Sequence, residues 1–303
     1  MNTLPADLLN LILNTYVNDL GGKCICRFVC RKWRGLLLHG KLCSDAFTTL
    51  NTLIWARKNH CPWSENSLYN ACKAGDLSIV KYMKTNSPLW SNEKVSYHVG
   101  ASGNISALEW AISQGCPLYN GVFVNIVRNR HLHVLEWAKN HYLITTGCMM
   151  TEAAAIGWIE GMEWLEKEGI KPGVYIYNAA VQTGQISSLN WAYSKGVRYD
   201  SSYVACIAAF WGKLDSLKWL KEHQVPITSE VYIEAAKGGF MYILEWLKDN
   251  NIPWDVNFCK QCSRQGSLKI LKWARGHGAP WYKEDCLQVS RPYPATHQWI
   301  LEN

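Results

Sequence analysis

The stretch Gly238-Gly239-Phe240-Met241-Tyr242-Ile243-Leu244-Glu245-Trp246-Leu247 decides the fold, because the chain keeps repeating it. Taking Trp246 as a mark, equivalent marks stand at Trp55, Tyr82, Trp110, Trp137, Trp164, Trp191, Trp219, Trp273 and Trp299. Their successive intervals are 27, 28, 27, 27, 27, 28, 27, 27 and 26 residues. Self-similarity at a fixed period of this length means an array of small structural units rather than one globular core.

Columns counted from the mark give the unit its shape. Two places before it stand Val80, Leu108, Leu135, Met162, Leu189, Leu217, Leu244 and Leu271; five before it stand Leu77, Ile105, Leu132, Ile159, Ile186, Leu214, Met241 and Leu268. The position after the mark is Met, Ala or Leu in the inner repeats, while the one before it is polar, as in Glu109, Asn190 and Lys218. Apolar residues at −5, −2, 0 and +1 predict a short buried helix with one polar stripe. Seven places before the mark a glycine recurs, from Gly75 to Gly266, with Arg130 as the exception. Small residues precede it, among them Ala153-Ala154, Ala208-Ala209 and Ala235-Ala236. They predict a first helix, tightly packed and closed by a C-terminal glycine. Pro-containing loops such as Ile252-Pro253-Trp254 and Ala279-Pro280-Trp281 follow the second helix, where Pro acts as a stop. Ser, Thr or Asp before the next helix, as in Thr228-Ser229-Glu230, suits an N-cap. Each unit is thus two helices of about ten residues, marginal alone and stable only when stacked.

The pattern A-A-x-x-G-x-L-x-x-L-x-W-L, followed by glycine and a loop, resembles the ankyrin repeat over about residues 50–303. The departures are a shorter period than the usual 33 residues and no T-P-L-H opening. The missing length falls between repeats, so the resemblance implies shortened or lost β-hairpin fingers. The style is similar to divergent ankyrin-like arrays of giant DNA viruses of amoebae.

Residues 1–45 do not fit the repeat. Leu4, Pro5, Asp7, Leu8, Leu9 and Ile12 are followed by Asp19-Leu20 and then by Val29-Cys30-Arg31 with Trp33-Arg34. This order resembles an F-box, a three-helix module. The resemblance implies that Leu4, Pro5, Leu8, Leu9, Ile12, Leu20, Val29, Cys30 and Trp33 dock on a Skp-family adaptor and through it on a cullin ubiquitin ligase. The other reading is a cap on the exposed end of the array, which any repeat stack needs. The expected architecture is all-α: an F-box-like domain over 1–45 and an ankyrin-like helical-hairpin solenoid of nine to ten repeats over 46–303.

Composition narrows function. The chain has 303 residues, with 16 Trp against 6 Phe, 48% apolar and 18% charged residues, a balance that argues against disorder. Net charge is +7, without a long basic run, so nucleic acid is not expected as a partner. No apolar segment reaches membrane-spanning length, and the N-terminus lacks a basic start, so an intracellular setting in cytoplasm or nucleus is expected, in a host cell if the source is viral. The 12 Cys read as free thiols. Cys24, Cys26, Cys30, His39 and Cys43 lie close together, yet without paired metal-ligand spacing. Cys259 and Cys262 occupy columns held elsewhere by aromatic residues and alanines, which makes them small buried residues. No phosphate loop, nucleophile elbow or zinc-protease motif is found. Catalysis, cofactor and metal are therefore not expected, and the chain is expected to be a monomer outside its complex.

A large apolar residue in a column that is otherwise polar marks a surface for a partner. Ile156, Trp158, Phe210, Trp211 and Phe240 stand out in this way, all near the end of the first helix; the other reading is that they fold back on neighbouring loops. The expected function is a substrate-recruiting adaptor for ubiquitin ligation. The alternative is a non-catalytic protein-binding scaffold or decoy with no ligase link.

Overall fold

The computed structural model describes residues 50–58, 63, 65–141, 147–199 and 203–303. The F-box-like segment 1–45, with all its expected adaptor-docking residues, lies outside them. Within the described residues every regular element is a helix and no strand occurs. They form two compact units that divide between Thr145 and Thr146.

In the first unit α1 (Leu50–Lys58) is followed by three hairpins: α2 (Glu65–Lys73) with α3 (Leu77–Asn86), α4 (Asn92–Gly100) with α5 (Ile105–Ser113), and α6 (Asn120–Arg128) with α7 (Leu132–Lys139). The second unit has six: α8 (Gly147–Ala155) with α9 (Ile159–Lys167), α10 (Tyr175–Thr183) with α11 (Ile186–Ser194), α12 (Tyr203–Phe210) with α13 (Leu214–Glu222), α14 (Glu230–Gly238) with α15 (Met241–Asp249), α16 (Phe258–Arg264) with α17 (Leu268–Gly276), and α18 (Lys283–Ser290) with α19 (Pro294–Glu302). Within each unit successive first helices pack on one another, and their contacts are more extensive than those between successive second helices. Small side chains allow it: Ala71, Cys72, Ala153, Ala154, Ala180, Ala208, Ala209 and Ala235 are all fully buried.

The hairpin turns behave as the sequence predicts. Gly75, Gly103, Gly157, Gly184, Gly212, Gly239 and Gly266 all have left-handed φ, and Arg130 keeps it too at 58°. After the first helices a backbone bond closes the turn, as in Lys213 N–H to Ala208 and Phe240 N–H to Ala235, the six-to-one bond of a Schellman end. Most second helices end the same way, as in Val225 N–H to Leu220 and Ile252 N–H to Leu247, while α3 ends on an extended Ser87.

Three expectations change. The −5 column is only half-buried, whereas the unremarked −3 column (Ile79, Val134, Ser188, Ser216 and Ile243 among others) is fully buried beside the −2 and +1 columns. Ser188 tolerates this because its Oγ donates to the Ala154 carbonyl at 2.8 Å. The N-cap reading of Ser229 does not hold: it makes no side-chain cap. The side-chain caps fall instead on second helices, where Asp76 accepts from Ser78 N–H at 2.8 Å and Asn104 from Ala107 N–H at 3.0 Å. The mark tryptophans are not deep core. Most are half-buried, and they join neighbouring repeats. Trp137 Nε1 donates to Glu109 at 3.0 Å and Trp219 Nε1 to Asn190 at 2.7 Å, so the polar −1 column has a partner one repeat on. The loop tryptophans meet the mark of the following repeat: Trp90 with Trp110, Trp254 with Trp273 and Trp281 with Trp299, at ring-centroid distances of 6.2, 5.7 and 6.1 Å. Four residues past the mark, a side chain returns to the mark's own carbonyl. His223 Nδ1 lies 2.8 Å from Trp219 O and Asn250 Nδ2 donates to Trp246 O at 2.7 Å. Each of those carbonyls also accepts the backbone N–H of the same residue, so the side chain adds a second bond at the end of the helix.

Candidate functional site

Helix α12 reads Tyr203-Val204-Ala205-Cys206-Ile207-Ala208-Ala209-Phe210, without a charged residue. One side does the packing: Val204, Ala205, Ala208 and Ala209 are fully buried. That leaves Tyr203, Ile207 and Phe210 at i, i+4 and i+7, on a second stripe of the same helix. A helix apolar all round is normally covered all round. Here Tyr203 is 60% exposed, Phe210 42%, and Trp211, the next residue, 48%.

These side chains form one wall of a groove of about 680 Å³. The facing wall is α14, with Glu230, Ile233, Glu234 and Lys237, and Gln261 of α16 also lines the groove. The Phe210 and Trp211 rings stand edge to face, 5.7 Å apart at 83°. Lys237 Nζ lies 2.6 Å from Glu234 Oε1, an i, i+3 pair on the surface. Cys206 also lines the groove and is nearly buried. Burial pushes its thiol up to about 11, and the carboxylates of Glu234 and Glu230 add to the rise, so it is an inert thiol rather than a nucleophile.

The other expected surface residues go elsewhere. Trp158 is corrected outright: it is 5% exposed and lies over Gly161, where an added Cβ would sit 2.1 Å from its ring. The tryptophan turns inward because the helix below it has no side chain at that place. Ile156 is half-buried at the end of α8 and does not line the groove. Phe240 is half-buried; its ring covers Gly212 and Gly238, whose added Cβ atoms would lie 2.8 and 2.3 Å from it. It belongs to a repeated device. In the same way Asn104 Nδ2 donates to the Gly75 carbonyl at 2.8 Å and His131 Nε2 lies 2.9 Å from the Ala101 carbonyl. Of the five candidates only Phe210 and Trp211 share a site. Tyr203, Ile207 and Ile233 also line the groove; for the first two the sequence signal is an α12 without one charge.

The seven described cysteines are free thiols. Among the described residues no group of His, Cys, Asp or Glu could hold a metal ion, and no helix is long and apolar enough to cross a membrane.

No family model matches the chain, and no curated protein does. Among solved structures it is similar to the pentatricopeptide repeat protein PPR10 from maize, at 13% identity and TM-score 0.36. It is also similar to PPR10 in complex with an 18-nt psaJ RNA element, at 14% identity and TM-score 0.42. In both, the match covers 99% of this chain and 51% of the other, so the chain spans about half the length of these proteins. This corrects the expected partner set. A matched structure holds RNA, so nucleic acid does not stay excluded, and none of these matches is an F-box or ankyrin protein that would support a Skp-family adaptor or a cullin.

Proposed function

We propose that the chain is a helical-repeat scaffold that holds a protein target in the groove between α12 and α14. One observation carries this: Tyr203, Phe210 and Trp211 are each at least two-fifths exposed on a single groove. Large aromatic side chains at the surface are the usual anchors of a protein interface, since they offer much area for little lost conformational freedom. Stacked repeats present such a surface rigidly, which lowers the ordering cost of binding. A photoreactive amino acid in place of Gln261 tests the reading in cells. A protease-sensitive adduct that disappears with Trp211→Ser, while the folding transition moves by less than about 0.5 kcal/mol as for an ordinary surface change, supports it. An adduct removed only by nuclease, or one indifferent to Trp211, overturns it.

A further inference from the structure

The two walls of the groove differ in chemistry. The α12 wall is aromatic and aliphatic over Tyr203, Ile207 and Phe210, about 10 Å along the helix at 1.5 Å per residue. The α14 wall carries Glu230 and Glu234, one turn apart on the same face. Lys237 offsets one of these carboxylates through its 2.6 Å pair with Glu234. Glu230, in the first turn of α14, makes no ion pair among the described residues, and the helix N-terminus favours its charge there. The groove is thus locally acidic in a chain whose net charge is +7.

We infer that the occupant of this groove is a basic polypeptide segment in which an arginine or lysine stands beside a bulky apolar residue. The inference rests on the scaffold reading above. Extended at about 3.3 Å per residue, such a segment crosses the groove with about three residues. Its apolar side chain lies against Ile207, Phe210 and Trp211. Its cation meets Glu230 and Glu234 on one side and the ring of Tyr203 on the other, where carboxylate and aromatic face both attract it. Lys237 is the built-in competitor: its ammonium already holds Glu234, and the incoming cation takes that place. A groove with the opposite charge would favour an acidic segment, and like charges meeting across an interface repel.

Selection of a random displayed peptide library on the purified full chain, counter-selected on Trp211→Ser, tests this. Trp211-dependent peptides rich in Arg or Lys next to Leu or an aromatic residue are expected. A representative peptide should bind at least tenfold more weakly to Glu230→Gln/Glu234→Gln and several-fold more tightly to Lys237→Ala, with affinity falling as salt rises. Trp211-dependent peptides that are acidic or uncharged overturn the inference and leave the scaffold reading standing. Failure to recover any Trp211-dependent peptide overturns both. An 18-nucleotide RNA that displaces the peptide at equal concentration overturns the assignment of the groove to a polypeptide.

Discussion

Trp219 donates its indole N–H to Asn190 Oδ1 at 2.7 Å, across the junction between one repeat and the next. Trp219 is 4% exposed, so this donor has been taken out of water. Removing the acceptor leaves a buried N–H unpaired, at a cost of about 1–3 kcal/mol. Asn190→Ala is therefore expected to lower the denaturant midpoint clearly, and to lower it much less in a Trp219→Phe background. Simple additivity of the two substitutions would show that the bond contributes nothing.

The repeat's turns can be tested where crowding and backbone geometry separate. Gly239 has φ 75° with nothing near the position of a Cβ, whereas a Cβ on Gly212, at φ 69°, would lie 2.8 Å from the Phe240 ring and from Tyr242 Oη. Gly239→Ala should cost only the left-handed penalty, about 1–2 kcal/mol. Gly212→Ala should cost more, and Phe240→Ser should recover part of the excess. Equal losses at the two glycines would mean that the ring over Gly212 yields freely.

These turns show what was legible in the sequence. A recurring glycine seven residues before the mark needs only one-dimensional periodicity to be seen, and so do the hairpin and the repeat. Burial was harder. Leu77 and Ile105 read as interior but stand at the edge of the helix face, while the −3 column is buried; Gly161, Ser188 and Ser216 interrupt the apolar run that Ile79, Val134 and Ile243 give that column. The column of Tyr203 changes character from repeat to repeat, whereas Ile207 stands in a column that is otherwise mostly polar, as in Asn70, His98, Glu152, Glu234 and Gln261, and is legible there. For Tyr203 only the uncharged character of α12, compared with its neighbours, carries a signal.

A second left-handed position closes six of the second helices, held by Gly115, Gly169, Gly196 and Gly278, but by Gln224 at φ 59° and Asn251 at φ 57°. A side chain with a Cβ is strained there. Gln224→Gly relieves that strain, partly offset by the greater freedom of glycine in the unfolded chain. A net gain of about 0.5–1 kcal/mol is expected, read as a higher denaturant midpoint. A midpoint that falls would show that the exposed Gln224 side chain stabilises the turn.

Thiol chemistry should separate surface from interior. Burial pushes the Cys72 and Cys259 thiols up to about 12, from an ordinary value of 9.0, and raises Cys262 further. Their protonated forms are favoured by folding. The stability they contribute is complete below pH 9 and is lost as pH rises toward 12. Unfolding midpoints should therefore fall with pH in that window, less steeply in Cys259→Ala. At pH 8 Cys148, which is exposed, should react with a thiol reagent in the native state, and Cys148→Ser should remove one fast equivalent. Cys72, Cys259 and Cys262 should react only on unfolding. Fast native labelling at Cys262, mapped by peptide mass, would contradict its burial.

Trp158 gives the last test, because its partner is a glycine whose replacement would ordinarily help. Gly161 lies within α9, and alanine in place of a helical glycine usually gains about 1 kcal/mol. Here the new Cβ would stand 2.1 Å from Trp158 Cε3, closer than a packed side chain can accept. Overpacking of this kind costs about 1–3 kcal/mol, so the sign should reverse and Gly161→Ala should destabilise. Trp158→Gln, which installs the residue found at the equivalent place in the next repeat, Gln185, should also destabilise alone, by emptying the space the indole fills. The double variant should be more stable than the sum of the single losses, since each change removes the other's defect. If Gly161→Ala raises the midpoint, the indole has room to swing outward, and Trp158 would then belong with Trp211 on the surface rather than in the core.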